Sequence, residues 1–156
     1  MNFEDVARVA DLNARYADAI DADRLEAWPD FFLDDGLYRI TTAENVAQGL
    51  PLSLMYATSR AMLRDRVTAL RQANVYEAQR YRHVVGTPLI TAVGNSSVRA
   101  RTSFMAARIM RTGDTLLFAT GCYEDHVALG PDGPRFAEKT VMLDSRQIDT
   151  LLAIPL

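Results

Sequence analysis

The sequence predicts an α+β fold in which N-terminal helices pack on the concave face of a curved antiparallel sheet. Three observations carry that reading. Apolar residues recur at helical spacing through much of the first half, and four long strand-like stretches separated by glycine-containing turns fill the second. No repeat, low-complexity linker or composition shift divides the 156 residues, so residues 1–156 are expected to form one domain.

The elements follow in order. Phe3, Val6, Val9, Ala10, Tyr16, Ala17 and Ile20 lie at helical spacing, with Asp11, Arg15 and Asp18 between them. Asp23 followed by Glu26 has the pattern of a capping box for a short second helix, which Pro29 interrupts, and Trp28, Phe31 and Phe32 supply apolar anchors. A strand is expected from Leu37 to Thr42 after Gly36, a loop from Ala43 to Pro51, and a further strand from Leu52 to Ala57. Ser59 to Gln72 returns to helical period, with Met62, Leu63, Val67 and Leu70 on one face. The long strands are Tyr81–Val93, Ser97–Thr112, Thr115–Leu129 and Arg135–Ile148. Gly94-Asn95 and Gly113-Asp114 suit two-residue hairpin turns, where glycine takes a positive φ at the first turn position.

Within the second long strand Val98, Ala100, Thr102 and Phe104 alternate with Arg99, Arg101 and Ser103, which separates an inner from an outer face. Met105, Ala107 and Ile109 then make the outer face apolar too, so that part of the sheet is expected to be covered on both sides. The end of the chain, Leu151 to Leu156, is too apolar to stand in water and is expected to dock on this chain or another.

Composition excludes several classes of function. A net charge of −3 does not favour nucleic acid, which is held by a concentrated basic face. No apolar run approaches the roughly 20 residues of a membrane-spanning helix. The first residues show neither the basic nor the apolar region of a signal peptide, and one cysteine makes no disulfide framework. A cytoplasmic protein is the expectation. Every basic residue except Lys139 is an arginine, and Arg60, Arg64, Arg66, Arg71, Arg80 and Arg82 crowd one stretch. Arginine enrichment fits a protein interface, because guanidinium pairs bidentately with carboxylates. A GC-rich genome that writes Arg for Lys is the competing explanation.

The donor inventory also limits chemistry. A Rieske cluster takes two Cys and two His, whereas this chain has one Cys and two His. His83 and His126 fall in separate strands without the spacing of a mononuclear iron site, and structural zinc is equally unsupported. No Gly-x-Ser-x-Gly elbow or phosphate-binding glycine loop is present, and Glu124 beside Cys122 opposes thiolate formation. Metal-free acid–base catalysis remains open, with His83 as the group tuned by burial and Asp34, Tyr16, Asp35 or Tyr38 as partners. A hydrogen-bonded core or interface histidine is the competing assignment for His83.

Several ordered segments carry a family resemblance. Trp28-Pro29-Asp30-Phe31-Phe32, Tyr38-Arg39-Ile40-Thr41, Gly49-Leu50-Pro51-Leu52, Met62 to Val67, Asn74 to Glu77, Arg80 to His83, Leu143-Asp144-Ser145 and Asp149 to Leu152 are similar to the small (beta) subunits of bacterial aromatic-ring-hydroxylating dioxygenases. Phe104-Met105, Arg108-Ile109-Met110, Thr112-Gly113 and the final Leu-Leu-Ala-Ile-Pro-Leu resemble the terephthalate branch, with anthranilate, salicylate and halobenzoate members as close competitors. The resemblance implies a nuclear-transport-factor-2-like cone and a non-catalytic structural subunit. It also implies a large (alpha) subunit partner holding a Rieske 2Fe-2S cluster and a mononuclear Fe(II), with three large and three small subunits in the assembly. No metal ligand or catalytic residue is implied for this chain. Arg64, Arg66, Tyr76, Arg80, Tyr81, Arg82 and Leu156 are the expected interface residues. The alternative is a free-standing isomerase or dehydratase of the same fold using His83, Asp34 and Tyr16.

Overall fold

The computed structural model describes residues 2–73, 78–145 and 154–156. Helix α1 spans Phe3–Asp21 and is capped by Asn2, whose side chain accepts the Glu4 N–H at 3.0 Å. Val9, Tyr16, Ala17 and Ile20 face the core as the periodicity predicts, Leu12 joins them, and Val6 and Ala10 are half-buried. Phe3 does not: it is 82% exposed in the first turn, where Asp5 takes the inward position.

A 3-10 segment, Leu25–Phe31, follows. The capping box is not realised, because Arg24 occupies the cap and no side chain closes it. Asp23 and Glu26 instead grip Arg71, at 2.9 and 2.7 Å. Two charge-assisted bonds to a guanidinium outcompete a single bond to a backbone amide.

Strand β1 is Phe32–Thr42, and the stretch expected to be a loop begins with a short helix α2, Ala43–Ala47, capped by Thr42. Strand β2 shrinks to Met55–Ala57. Helix α3, Arg60–Gln72, buries Leu63 and Val67 while Met62 stays 43% exposed. The expected strand Tyr81–Val93 divides into β3, Gln79–Val85, and β4, Leu89–Val93. Pro88 lies in the break, where it has no N–H to give a ladder. Both pieces pair antiparallel with β5, Ser97–Met110, β3 along its end and β4 along its start. Strands β6, Thr115–Gly130, and β7, Gly133–Leu143, complete the sheet. The expected continuation to Ile148 passes outside the described residues.

The strand order is β2-β1-β7-β6-β5-β3, with β4 also on β5. One pairing departs from the antiparallel expectation: β1 runs parallel to β7, from Leu37 beside Glu138 to Thr42 beside Leu143. A parallel pair needs a long crossover, and everything from α2 to β6 supplies it. The sheet is therefore mixed, curved and unclosed, with α1 packed on its concave face.

Two of the turns also differ from expectation. Gly113 has φ 94° at the last position of its loop, where its N–H bonds the Met110 carbonyl at 2.9 Å. That geometry belongs to a turn followed by a left-handed glycine rather than to a two-residue turn. Gly94 closes its turn without a positive φ.

The β6–β7 contact is close enough to require glycine at Gly121, where a Cβ would stand 2.1 Å from the Met142 carbonyl oxygen. Backbone cannot yield as a side chain does. Gly121→Ala is expected to cost about 3 kcal/mol or more in urea unfolding. A loss below about 0.5 kcal/mol, the usual scale of a neutral surface change, would show that the two strands part freely.

Candidate functional site

The candidate site is the interior of the cone, and aromatic residues line it. Tyr16 contacts Phe31, Phe32, Tyr123 and Phe136 edge-on, and Trp28 stands edge-on to Phe32 and Tyr38. The segment Ile154–Leu156 enters this space. The Tyr16 hydroxyl donates to the Leu156 main-chain oxygen at 3.1 Å, and the Tyr123 hydroxyl approaches the same oxygen at 3.5 Å. The Leu156 N–H donates to the Tyr38 hydroxyl at 3.1 Å, and the Tyr81 hydroxyl reaches the Ile154 carbonyl at 3.5 Å. Burial pushes the Tyr16 and Tyr123 hydroxyls well above the usual phenol range, so both remain protonated donors at neutral pH.

Deeper in, the chain's single lysine is enclosed. Lys139 Nζ lies 3.2 and 3.3 Å from the Asp125 carboxylate oxygens and 3.3 Å from Asn13 Oδ1. It also sits over the rings of Tyr123, Phe136 and Tyr16, at 3.6, 4.2 and 4.5 Å. Asn13 in turn donates to Thr102 Oγ1 at 3.2 Å, which ties α1 to β5. Burial lowers Lys139 to about 8 and raises Asp125 to about 6, and each partner's charge opposes the other's shift. The sequence signal for this group was the lone Lys in an all-Arg chain, in register with inward Val141 and Leu143.

His83 lies in a second polar pair. Its Nδ1 is 2.6 Å from Asp21 Oδ1, and its backbone N–H donates to Asp21 Oδ2 at 2.8 Å. The other ring nitrogen, Nε2, is buried and has no hydrogen-bond partner among the described residues. Sequence reasoning missed Asp21. The available signal was a carboxylate as the last residue of a helix, where the helix dipole disfavours negative charge unless a partner holds it.

The remaining expected residues are dispersed. Asp34 is 92% exposed at its side chain and pairs with Arg60 at 2.7 Å, outside the cone. Tyr16 and His83 share the interior but are separated by the stacked rings of Phe104 and Tyr123. Tyr81 points inward, and Leu156 is fully buried in its own chain's cone instead of reaching another subunit. Arg80 and Arg82 are exposed on the outer face of β3. Arg64 is exposed with a 3.7 Å contact to Asp30, and Arg66 is half-buried with its Nε unpartnered among the described residues. Tyr76 lies outside the described residues.

Among the described residues the histidine and cysteine donors are each engaged elsewhere or held protonated. His83 is committed to Asp21, His126 bonds Ser97 Oγ at 3.0 Å, and the lone Cys122 has its thiol pushed up by burial. Among the described residues no group of three His, Cys, Asp or Glu side chains is placed to hold a metal ion. No helix among them is long and apolar enough to cross a membrane.

A curved sheet wrapped on one long helix, with an aromatic interior, defines a SnoaL-like domain, and residues 1–140 match that family. Over 149 residues the chain is 44% identical to terephthalate 1,2-dioxygenase, terminal oxygenase component subunit beta 1, of a Comamonas species, covering 96% of this chain and 97% of the relative. It is 37% identical over 145 residues to the anthranilate 1,2-dioxygenase small subunit of Burkholderia cepacia, covering 93% and 90%. A solved structure from Novosphingobium aromaticivorans, assigned as the beta subunit of an aromatic-ring-hydroxylating dioxygenase, superposes with a TM-score of 0.90 at 39% identity, covering 99% of this chain and 100% of that one. The chain therefore belongs to the family of small (beta) subunits of aromatic-ring-hydroxylating dioxygenases.

The buried ion pair gives a pH test. Lys139→Met leaves the Asp125 carboxyl in the same dry site without its cation, which raises its folded pKa above the present value of about 6. The unfolded carboxyl titrates near 3.8, so the unfolded state releases its proton first as pH rises. Stability of the variant is therefore greatest below that value and is lost as pH rises through the folded pKa. The expected loss near neutral pH is about 3–5 kcal/mol, and smaller near pH 4. Chemical denaturation across that range checks it; a difference from the parent that is constant with pH would show that Asp125 does not titrate.

Proposed function

We propose that this chain is the structural small subunit of a terminal oxygenase that hydroxylates an aromatic carboxylate, assembled with a large subunit as three of each. The supporting observation is similarity to dioxygenase beta subunits along 96% of the chain. The large subunit then holds the Rieske 2Fe-2S cluster and the mononuclear Fe(II), because this chain has one Cys and two His to offer. A cytoplasmic location goes with that role.

The outer face of the sheet supplies the contact surface in this reading. Val84, Met105 and Leu117 are 61, 46 and 61% exposed, and the β3–β5–β6 register places them near one another. Arg80 and Arg82 on β3 flank them. An apolar centre with an arginine rim is the composition of a protein interface, and the expected second cover over Met105, Ala107 and Ile109 is then the large subunit. Arg64 joins the same role from α3.

The Asp21–His83 pair, with its unpartnered Nε2, is the one observation that favours the acid–base reading. Against that reading stand Asp34 on the exterior and an interior filled by the chain's own Leu156.

Co-expression with a candidate large subunit, size exclusion and iron analysis test the assembly. The two chains are expected to co-elute, and Val84→Asp or the pair Arg64→Ala, Arg82→Ala to weaken co-elution about tenfold or more while shifting isolated-chain stability by less than about 0.5 kcal/mol. A large subunit that assembles and turns over equally well without this chain defeats the proposal. Equal losses of assembly and stability would instead assign those side chains to the scaffold.

A further inference from the structure

The interior of the cone has more hydrogen-bonding side chains than its helices and strands use. Ile154–Leu156 joins neither a helix nor a strand, and the side-chain hydroxyls of Tyr16, Tyr38, Tyr81 and Tyr123 hold its backbone. Two of those hydroxyls converge on one oxygen, the Leu156 main-chain oxygen, while the Leu156 side chain is fully buried in the core. Side-chain donors converging on an acceptor oxygen, with an aliphatic group packed among aromatic rings, are the features of a small-molecule site. Two polar atoms are left over: His83 Nε2 and Arg66 Nε are buried without a partner among the described residues. The Arg66 charge acts on the Tyr38 hydroxyl that receives the Leu156 N–H.

We propose that the cone interior is a binding site for a small apolar carboxylic acid, and that the chain's own Ile154–Leu156 segment occupies it as an internal ligand. A carboxylate oxygen replaces the Leu156 main-chain oxygen between the Tyr16 and Tyr123 hydroxyls. Its apolar body replaces the Leu156 side chain, and the Arg66 charge, which already acts on the Tyr38 hydroxyl, favours the anion. No bond is made or broken; the event is exchange of one occupant for another. The site does not depend on assembly with a large subunit, so either proposal can fail without the other.

Trp28 is the chain's only tryptophan, and its Nε1–H donates to the Tyr16 hydroxyl at 3.3 Å, so its emission reports the occupant. The test titrates benzoate into the full chain and into a chain lacking Ile154–Leu156, with circular dichroism as the folding control. The shortened chain is expected to give a saturable emission change, and the full chain the same end point at about tenfold or more higher concentration, because its site is mostly filled. Tyr16→Phe combined with Tyr123→Phe in the shortened chain is expected to abolish the change. A folded shortened chain with no saturable response overturns the proposal, as does binding equal in both chains and indifferent to the tyrosines. If the shortened chain does not fold, Leu156→Gly in the full chain vacates the same space; a saturable response there supports the site, and none overturns it.

Discussion

The burial of Lys139 is the constraint on which the rest of this architecture depends. An ammonium group out of contact with water is costly, and the chain meets that cost with one carboxylate, one amide oxygen and three ring faces. Those partners come from three different elements: Asn13 and Tyr16 from α1, Tyr123 and Asp125 from β6, Phe136 from β7 alongside the lysine itself. Satisfying the cation therefore fixes the rotation of α1 over the sheet. Once Asn13 is set, helical spacing puts Tyr16 inward one turn on, and Asp21 then closes the helix within reach of His83.

The same arrangement separates the two faces of the sheet. The concave face carries tyrosines, a buried ion pair and a histidine–aspartate pair. The convex face carries arginines and aliphatic residues in view of solvent. In the β5 strand this division is set residue by residue, since every step along a strand changes sides. Membership in the small-subunit family of ring-hydroxylating dioxygenases is written in the whole scaffold rather than in one constellation of reactive groups.

Much of this was legible in the sequence because it rests on periodicity. The 3.6-residue period gave α1 and α3, and period-2 alternation gave the faces of β5 from Val98 to Phe104. What period could not show was long-range competition. Asp23 and Glu26 have the right local spacing for a cap, yet Arg71, far along the chain, takes both. Tyr81 and Leu156 look like interface anchors by residue type, but the strand's inward register and the tyrosine hydroxyls draw them inside. The pairing of β1 with β7 is invisible locally, since nothing in either strand names its neighbour. Asp21 belongs to the same class, since its partner His83 lies 62 residues away, and so does the Lys139 contact with Asn13, although Asp125 faces the lysine across the β6–β7 hairpin.

The parallel pairing of β1 with β7 has a consequence for how the chain is made. Arg39 bonds Thr140 across a separation of 101 residues, so the edge of β1 that β7 covers has no neighbour while the intervening chain is being synthesised. Contacts of such sequence separation slow folding and leave unpaired strand edges open to other chains. The sheet becomes continuous only after β7 emerges, when its inward lysine also brings the charge that α1 and β6 are built to hold. Translation, helix docking and sheet completion thus converge on the arrival of one strand.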